Sequence, residues 1–224
     1  MYLHDAHLSN VVTAYATCLA GIVPMLYCWA VGGQPRRWFL VYFFVLVTGI
    51  PTVWLHACEG SRIASFFDVG TNILLAWSLQ VAASGDFMKP GPRRVLLGLS
   101  TLFNLGVAAW LAREVVATAK VPLIRFGSFG EFYTGEVALI LNAWIAAFLL
   151  FAITRKSPAP AKRLMAILFG LFFLGMLLAT AGNSQVTLRF IAWHATWHIV
   201  GAFGFVTLFL FNHVRFSALP EAAH

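Results

Sequence analysis

Charge is scarce in this sequence. Eight Asp and Glu and fifteen Lys and Arg make up 10% of 224 residues, against about 25% in a soluble domain. So thin a charge complement cannot coat a compact water-soluble fold of this length. Cysteine is scarcer still. Three residues, an odd and sparse set, do not build a secreted disulfide scaffold. No Lys/Arg-rich run with interleaved aromatics is present, so a net charge of +7 and a pI near 9.8 do not point to nucleic acid. The first ten residues, MYLHDAHLSN, hold no Lys or Arg and so lack the basic start of a cleavable signal peptide.

What is abundant is apolar surface. The chain is 60% hydrophobic with a mean hydropathy of +0.82, which excludes intrinsic disorder and leaves a polytopic membrane protein. A spanning helix takes roughly 20 apolar residues, so there is room for about seven with short loops. The predicted spans run over Val11–Val31, Trp38–His56, Phe67–Ala83, Val95–Leu111, Phe132–Ile153, Leu164–Ala181 and Phe190–Phe211. Pro24 falls inside the first, and Gly49 and Pro51 mark an expected kink in the second. The connection Ala112–Gly130 is the longest, and its LIRFGSFGEF portion is expected at the interface. No repeat or second domain stands out. The expected fold is an all-α, seven-transmembrane-helix bundle forming one domain over residues 1–224, in a plasma or bacterial inner membrane or in the ER/Golgi system.

The basic residues orient it. Arg36, Arg37, Lys89, Arg93, Arg94, Arg155, Lys156, Lys162, Arg163 and Arg215 fall on one side of seven spans, with Arg215 read as part of the tail. Arg62, Arg113, Lys120, Arg125 and Arg189 fall on the other. The positive-inside rule then puts the N-terminus outside and the C-terminus in the cytoplasm.

Ionisable groups at membrane depth are costly and usually functional. His56 lies late in the second span, Asp68 opens the third, and His194 and His198 lie early in the seventh. The topology brings all four to a similar depth in the outer half of the membrane. His194 and His198 are four apart, so they share a helix face and can share a metal. Thr52 stands one turn before His56, and Asn72 shares a face with Asp68. Three neutral imidazoles with an open fourth position make a catalytic Zn2+ site. A neighbouring carboxylate can move the proton and a neighbouring hydroxyl can donate to an oxyanion. The expected metal ligands are therefore His56, His194 and His198, with Asp68 and Thr52 as catalytic groups. Glu136, Asn104 and Asn142 are expected to bond between helices, Cys18 and Cys28 to pack as small apolar groups, and Cys58 to be a less suitable ligand than His. His4, His7, His213 and His224 are expected to face water.

These residues resemble a known family. TVWLH (Thr52 to His56), FFDVGTN around Asp68, and WHATWHIVGA with His194 and His198 are similar to the three signature regions of the CREST superfamily. That superfamily comprises the alkaline ceramidases, the progestin and adiponectin receptors and related seven-span hydrolases. Its pattern is Ser-x-x-x-His late in the second helix, Asp in the third and His-x-x-x-His in the seventh. The twelve-residue step from His56 to Asp68 resembles the ceramidase branch. The resemblance implies zinc on the three His residues, proton handling by Asp68, oxyanion assistance from the Thr52 position, and hydrolysis of a membrane lipid amide such as ceramide that enters sideways between helices. Two departures stand out: Thr52 replaces Ser, and the acidic N-terminal segment that binds calcium in animal alkaline ceramidases is reduced to Asp5. A seven-span lipid receptor with structural zinc, and a haem protein using His56 against His194 or His198, are the alternative readings.

Overall fold

The computed structural model describes residues 2–58, 61–118, 123–125, 131–182, 187–188 and 191–218. Seven helices follow in order: α1 (Tyr2–Val31), α2 (Arg36–Ala57), α3 (Arg62–Phe87), α4 (Pro90–Thr118), α5 (Thr134–Arg155), α6 (Ala159–Gly182) and α7 (Trp193–Ser217). Each carries a stretch long and apolar enough to cross a bilayer, which makes the chain a multi-pass membrane protein.

The ends of these helices follow local chemistry. Gly32 and Gly33, at φ of 75° and 79°, turn the chain out of α1 in a conformation that a side chain would oppose. The Ser61 hydroxyl accepts from Ala64 N at 3.3 Å and caps α3. Proline opens α4, where its missing N–H costs nothing. Most helices overrun the predicted spans, because hydropathy marks the stretch suited to lipid while the hydrogen-bonded helix continues into polar flanks. The third span begins at Arg62 rather than Phe67, so Asp68 stands in the second turn of α3 rather than at its opening. In the same way α7 runs to Ser217 and takes up Arg215, which is not in a tail.

Two small hairpins, absent from the sequence expectation, occupy connections. β1 (Leu123–Arg125) pairs antiparallel with β2 (Glu131–Tyr133), so part of the segment expected at the interface is a hairpin. β3 (Thr187–Leu188) pairs with β4 (Ile191–Ala192) just before α7. Strands of two or three residues are too short to show a two-residue period in the sequence.

α1 packs on α2 and α7, α2 on α3, α3 on α4 and α5, and α6 on α7, while α5 and α6 touch only weakly. The α1–α2 approach depends on small residues. A β-carbon on Gly21 would strike the Leu46 backbone and one on Gly49 would strike Cys18. α2 stays one helix through Pro51. The core is built from Trp38, Val41, Tyr42, Val45, Leu149, Met165 and Phe211, and the wide apolar surface left exposed is what a bilayer covers.

Two buried polar clusters bind the helices together. Asn142 on α5, 1% exposed, donates to Asn104 Oδ1 at 2.8 Å and accepts from Gln80 Nε2 at 2.8 Å and Asn104 Nδ2 at 3.2 Å. It ties α3, α4 and α5, the role expected for Asn104 and Asn142. The second cluster surrounds Asp86, near the end of α3. Its carboxylate pairs with Arg37 and, at 2.6 Å, with Arg215, and accepts from Trp38 Nε1 at 3.2 Å. Arg215 donates to Asn212 Oδ1 at 2.8 Å, and Asn212 donates to the Tyr42 hydroxyl at 3.1 Å. His213 departs from expectation: its ring packs against Tyr27 and Phe209 instead of standing free in water.

Candidate metal centre

At the opposite end of the same three helices, α2, α3 and α7, stand the candidate site residues. The C-terminal turn of α2 supplies His56 and the first two turns of α7 supply His194 and His198. His194 Nε2 lies 3.2 Å from His56 Nε2. The ring centroids of His56 and His194 are 4.9 Å apart, those of His56 and His198 5.0 Å, and those of His194 and His198 4.8 Å. One nitrogen from each ring falls within a set whose members all lie within 4.8 Å of one another, so the three could hold a metal ion.

The spacing can be tested against a metal's requirements. Nitrogens at about 2.0–2.1 Å from a tetrahedral centre stand about 3.3 Å from each other. The His56–His194 pair is already at that separation. The third nitrogen needs to close by no more than about 1.5 Å, a small ring movement. The donor set therefore fits a small cation that favours imidazole. It contains no thiolate and no carboxylate: Cys58 is exposed and stands outside it, and so does Asp68.

Asp68 and Thr52 meet each other. Thr52 Oγ1 donates to Asp68 Oδ1 at 2.5 Å and lies 2.9 Å from the Thr48 carbonyl. Thr52 is four residues before His56, so this pair sits about 6 Å along α2 from the His56 position, deeper in the bundle. Asn72 donates from Nδ2 to the Asp68 carbonyl at 2.9 Å, and Thr48 donates to the Thr71 carbonyl at 3.2 Å, locking α2 to α3 at this level. Trp197, between the two histidines of α7, lays its ring on Gly175 of α6, where no β-carbon would fit. It packs α6 to α7.

Sequence reasoning missed Thr13. Its Oγ1 lies 3.1 Å from His198 Nδ1, and the same oxygen is 2.7 Å from the Ser9 carbonyl. A threonine in an apolar span gives no signal of its own, since its partner depends on which face α1 turns to α7. The side chains of His4, His7 and Glu136, and His224 altogether, lie outside the described residues. A groove of about 460 Å³, lined by Phe87, Phe148, Phe151, Ala152, Arg155 and Lys156, belongs to the other end of the bundle and shares no residue with the centre.

No protein-family model matches the chain, and neither does any curated protein or solved structure. The resemblance to the CREST superfamily thus stands on the three motifs alone.

Proposed function

We propose that this chain is a zinc-dependent intramembrane amidase that hydrolyses ceramide or a ceramide-like lipid amide to a sphingoid base and a fatty acid. The observation that carries this reading is the meeting of His56, His194 and His198, with Asp68 held by Thr52 one helical turn away along α2. Three imidazoles with a fourth position left open are the donor set of a catalytic rather than a structural zinc site. Zinc, when bound, acidifies a water and polarises a carbonyl oxygen.

The remaining steps belong to side chains. Asp68, not engaged as a ligand, takes a proton from the attacking water. As the amide C–N bond breaks, it returns that proton to the leaving nitrogen. The hydroxyl of Thr52 has one proton and two acceptors already at hand, Asp68 Oδ1 and the Thr48 carbonyl. It cannot also serve an oxyanion while Asp68 is ionised. Once Asp68 has gained a proton, its carboxyl can donate to Thr52 Oγ1, and the threonine proton is then shared only between the Thr48 carbonyl and the developing oxyanion, whose charge makes it the stronger acceptor. The base step thereby readies the oxyanion donor.

In this reading the N-terminus is outside and the centre lies in the outer half of the membrane, because ten of the fifteen basic residues fall on the other side. The lipid enters sideways, and the weakly packed α5–α6 flank offers a way in. A lipid receptor with structural zinc would share the geometry and differ in showing no turnover. A bis-histidine haem is disfavoured: coaxial imidazoles on either side of a porphyrin need ring centroids about 6 Å apart with the macrocycle between them, and the His56 ring stands 4.9 Å from that of His194 and 5.0 Å from that of His198.

The test measures zinc content and lipid-amide turnover on the same preparations. Wild type should carry one zinc per chain, and His194→Ala and His198→Ala should lose it. Asp68→Asn should keep the metal while turnover falls about 10²–10⁴-fold. Full zinc in either histidine variant, or wild-type turnover in Asp68→Asn, refutes the assignment. Full zinc in wild type with no turnover of any lipid amide transfers the chain to the receptor reading.

A further inference from the structure

His198 is 5% exposed, so its two ring nitrogens must be satisfied by protein or by a ligand. Nδ1 faces Thr13 Oγ1 at 3.1 Å. The direction of that bond follows from the threonine's other contacts. Its one proton has carbonyl acceptors on its own helix, Ser9 O at 2.7 Å and Asn10 O at 3.3 Å. The oxygen therefore presents lone pairs to the ring, and the bond forms only if His198 Nδ1 carries the hydrogen. A neutral imidazole protonated at Nδ1 has a bare lone pair at Nε2, the nitrogen it has left for a metal.

We infer that Thr13 is a positioning residue for the metal centre. It holds His198 in the Nδ1–H tautomer and fixes its ring before any ion arrives. This rests on the reading that His56, His194 and His198 hold a metal. Among the described residues α1 contributes no ligand, yet its hydroxyl decides whether the most buried of the three presents a lone pair or a proton. Partners of this kind orient a ligand and raise its basicity, and their removal typically costs 10–100-fold in metal affinity.

Affinity for Zn2+ is measured by competition with a chelator of known strength, and the site is read independently by its Co2+ absorption bands. Thr13→Val keeps the shape and removes the acceptor; it should weaken Zn2+ about 10–100-fold and alter the Co2+ bands. Thr13→Ser restores the acceptor and should bind within about threefold of wild type. Thr13→Val should leave thermal unfolding of the metal-free protein within about 4 °C of wild type, since the bond serves the ring and not the packing of α1. Thr13→Ala stands in if the valine variant does not fold. Wild-type affinity and spectrum in Thr13→Val overturn the inference. So does a fall of the metal-free Tm well beyond that margin, which would trace the effect to α1 packing. A His194→Ala variant that binds Zn2+ as tightly as wild type instead overturns the metal reading itself, which separates the two failures.

Discussion

Removing the carboxylate of Asp86 should destabilise the bundle at the end opposite the histidines. The Asp86 side chain is 5% exposed and receives two guanidinium groups and an indole N–H. The two arginines are not equivalent. The Arg37 side chain is 32% exposed and can turn to water, so its share is that of a surface pair, about 0–1 kcal/mol. Arg215 is 9% exposed and cannot. It lies under Trp38, Phe211 and Phe216, with its guanidinium 4.2 Å from the last ring. In Asp86→Ala it stays buried without a counter-charge, a fault that costs about 3–5 kcal/mol. At about 2–4 °C per kcal/mol for a chain of this size, the Tm should fall by about 6–20 °C. The assay is thermal unfolding in detergent, followed by Trp fluorescence and by the monodisperse fraction. Asp86→Asn keeps an acceptor and should lose less. Asp86→Ala with Arg215→Met removes both charges and should recover most of the loss. An Asp86→Ala Tm within about 2 °C of wild type, or a double variant no better than the single, refutes the reasoning.

Three further outcomes are expected. Thr52→Val should retain zinc and lose about 10²-fold in turnover, while Thr52→Ser stays active; zinc content and hydrolysis on one preparation check this, and an active valine variant removes Thr52 from the chemistry. Asn142→Leu leaves Gln80 and Asn104 without a shared partner and should cost about 1–3 kcal/mol in thermal unfolding while zinc binding persists; an unchanged Tm contradicts the role given to this cluster. Cys58 is exposed at the end of the bundle that holds the histidines. In Cys18→Ala/Cys28→Ala protein it should react with an impermeant maleimide from outside intact cells, and labelling only after permeabilisation inverts the orientation.

The seven helices were legible because lipid imposes a simple demand, about 20 apolar residues in a row, that leaves a strong trace in composition. The meeting of His56, His194 and His198 was legible for a related reason. An odd or even number of crossings fixes which helix ends share a face of the membrane, and i, i+4 spacing fixes which side chains share a face of a helix. The hydrogen bond from Thr52 to Asp68 was not legible, since it depends on how α2 and α3 face each other. Thr13 was not legible, since depth is set by topology but rotation of α1 about its axis is set by packing. The glycine contacts at Gly21 and Gly49 that settle that packing show only in three dimensions. Asp86 and Arg215 were hidden differently. Both lie beyond the apolar windows, where a sequence reading sees loop and tail, while the helices continue through them.

Asp86 and its partners also bear on how the chain is made. A ribosome delivers Arg37 and Asp86 long before Arg215, so Asp86 reaches the translocon with a counter-charge already made and does not enter the membrane as a lone carboxylate. Arg215 comes with the last helix, as do His194 and His198. A nascent chain that stops before α7 holds His56 and Asp86 at opposite ends of the membrane, each still missing partners. Completion of the final helix closes both ends in one event. Truncation within α7 should therefore yield a chain that quality-control proteases recognise, rather than a folded protein lacking one site.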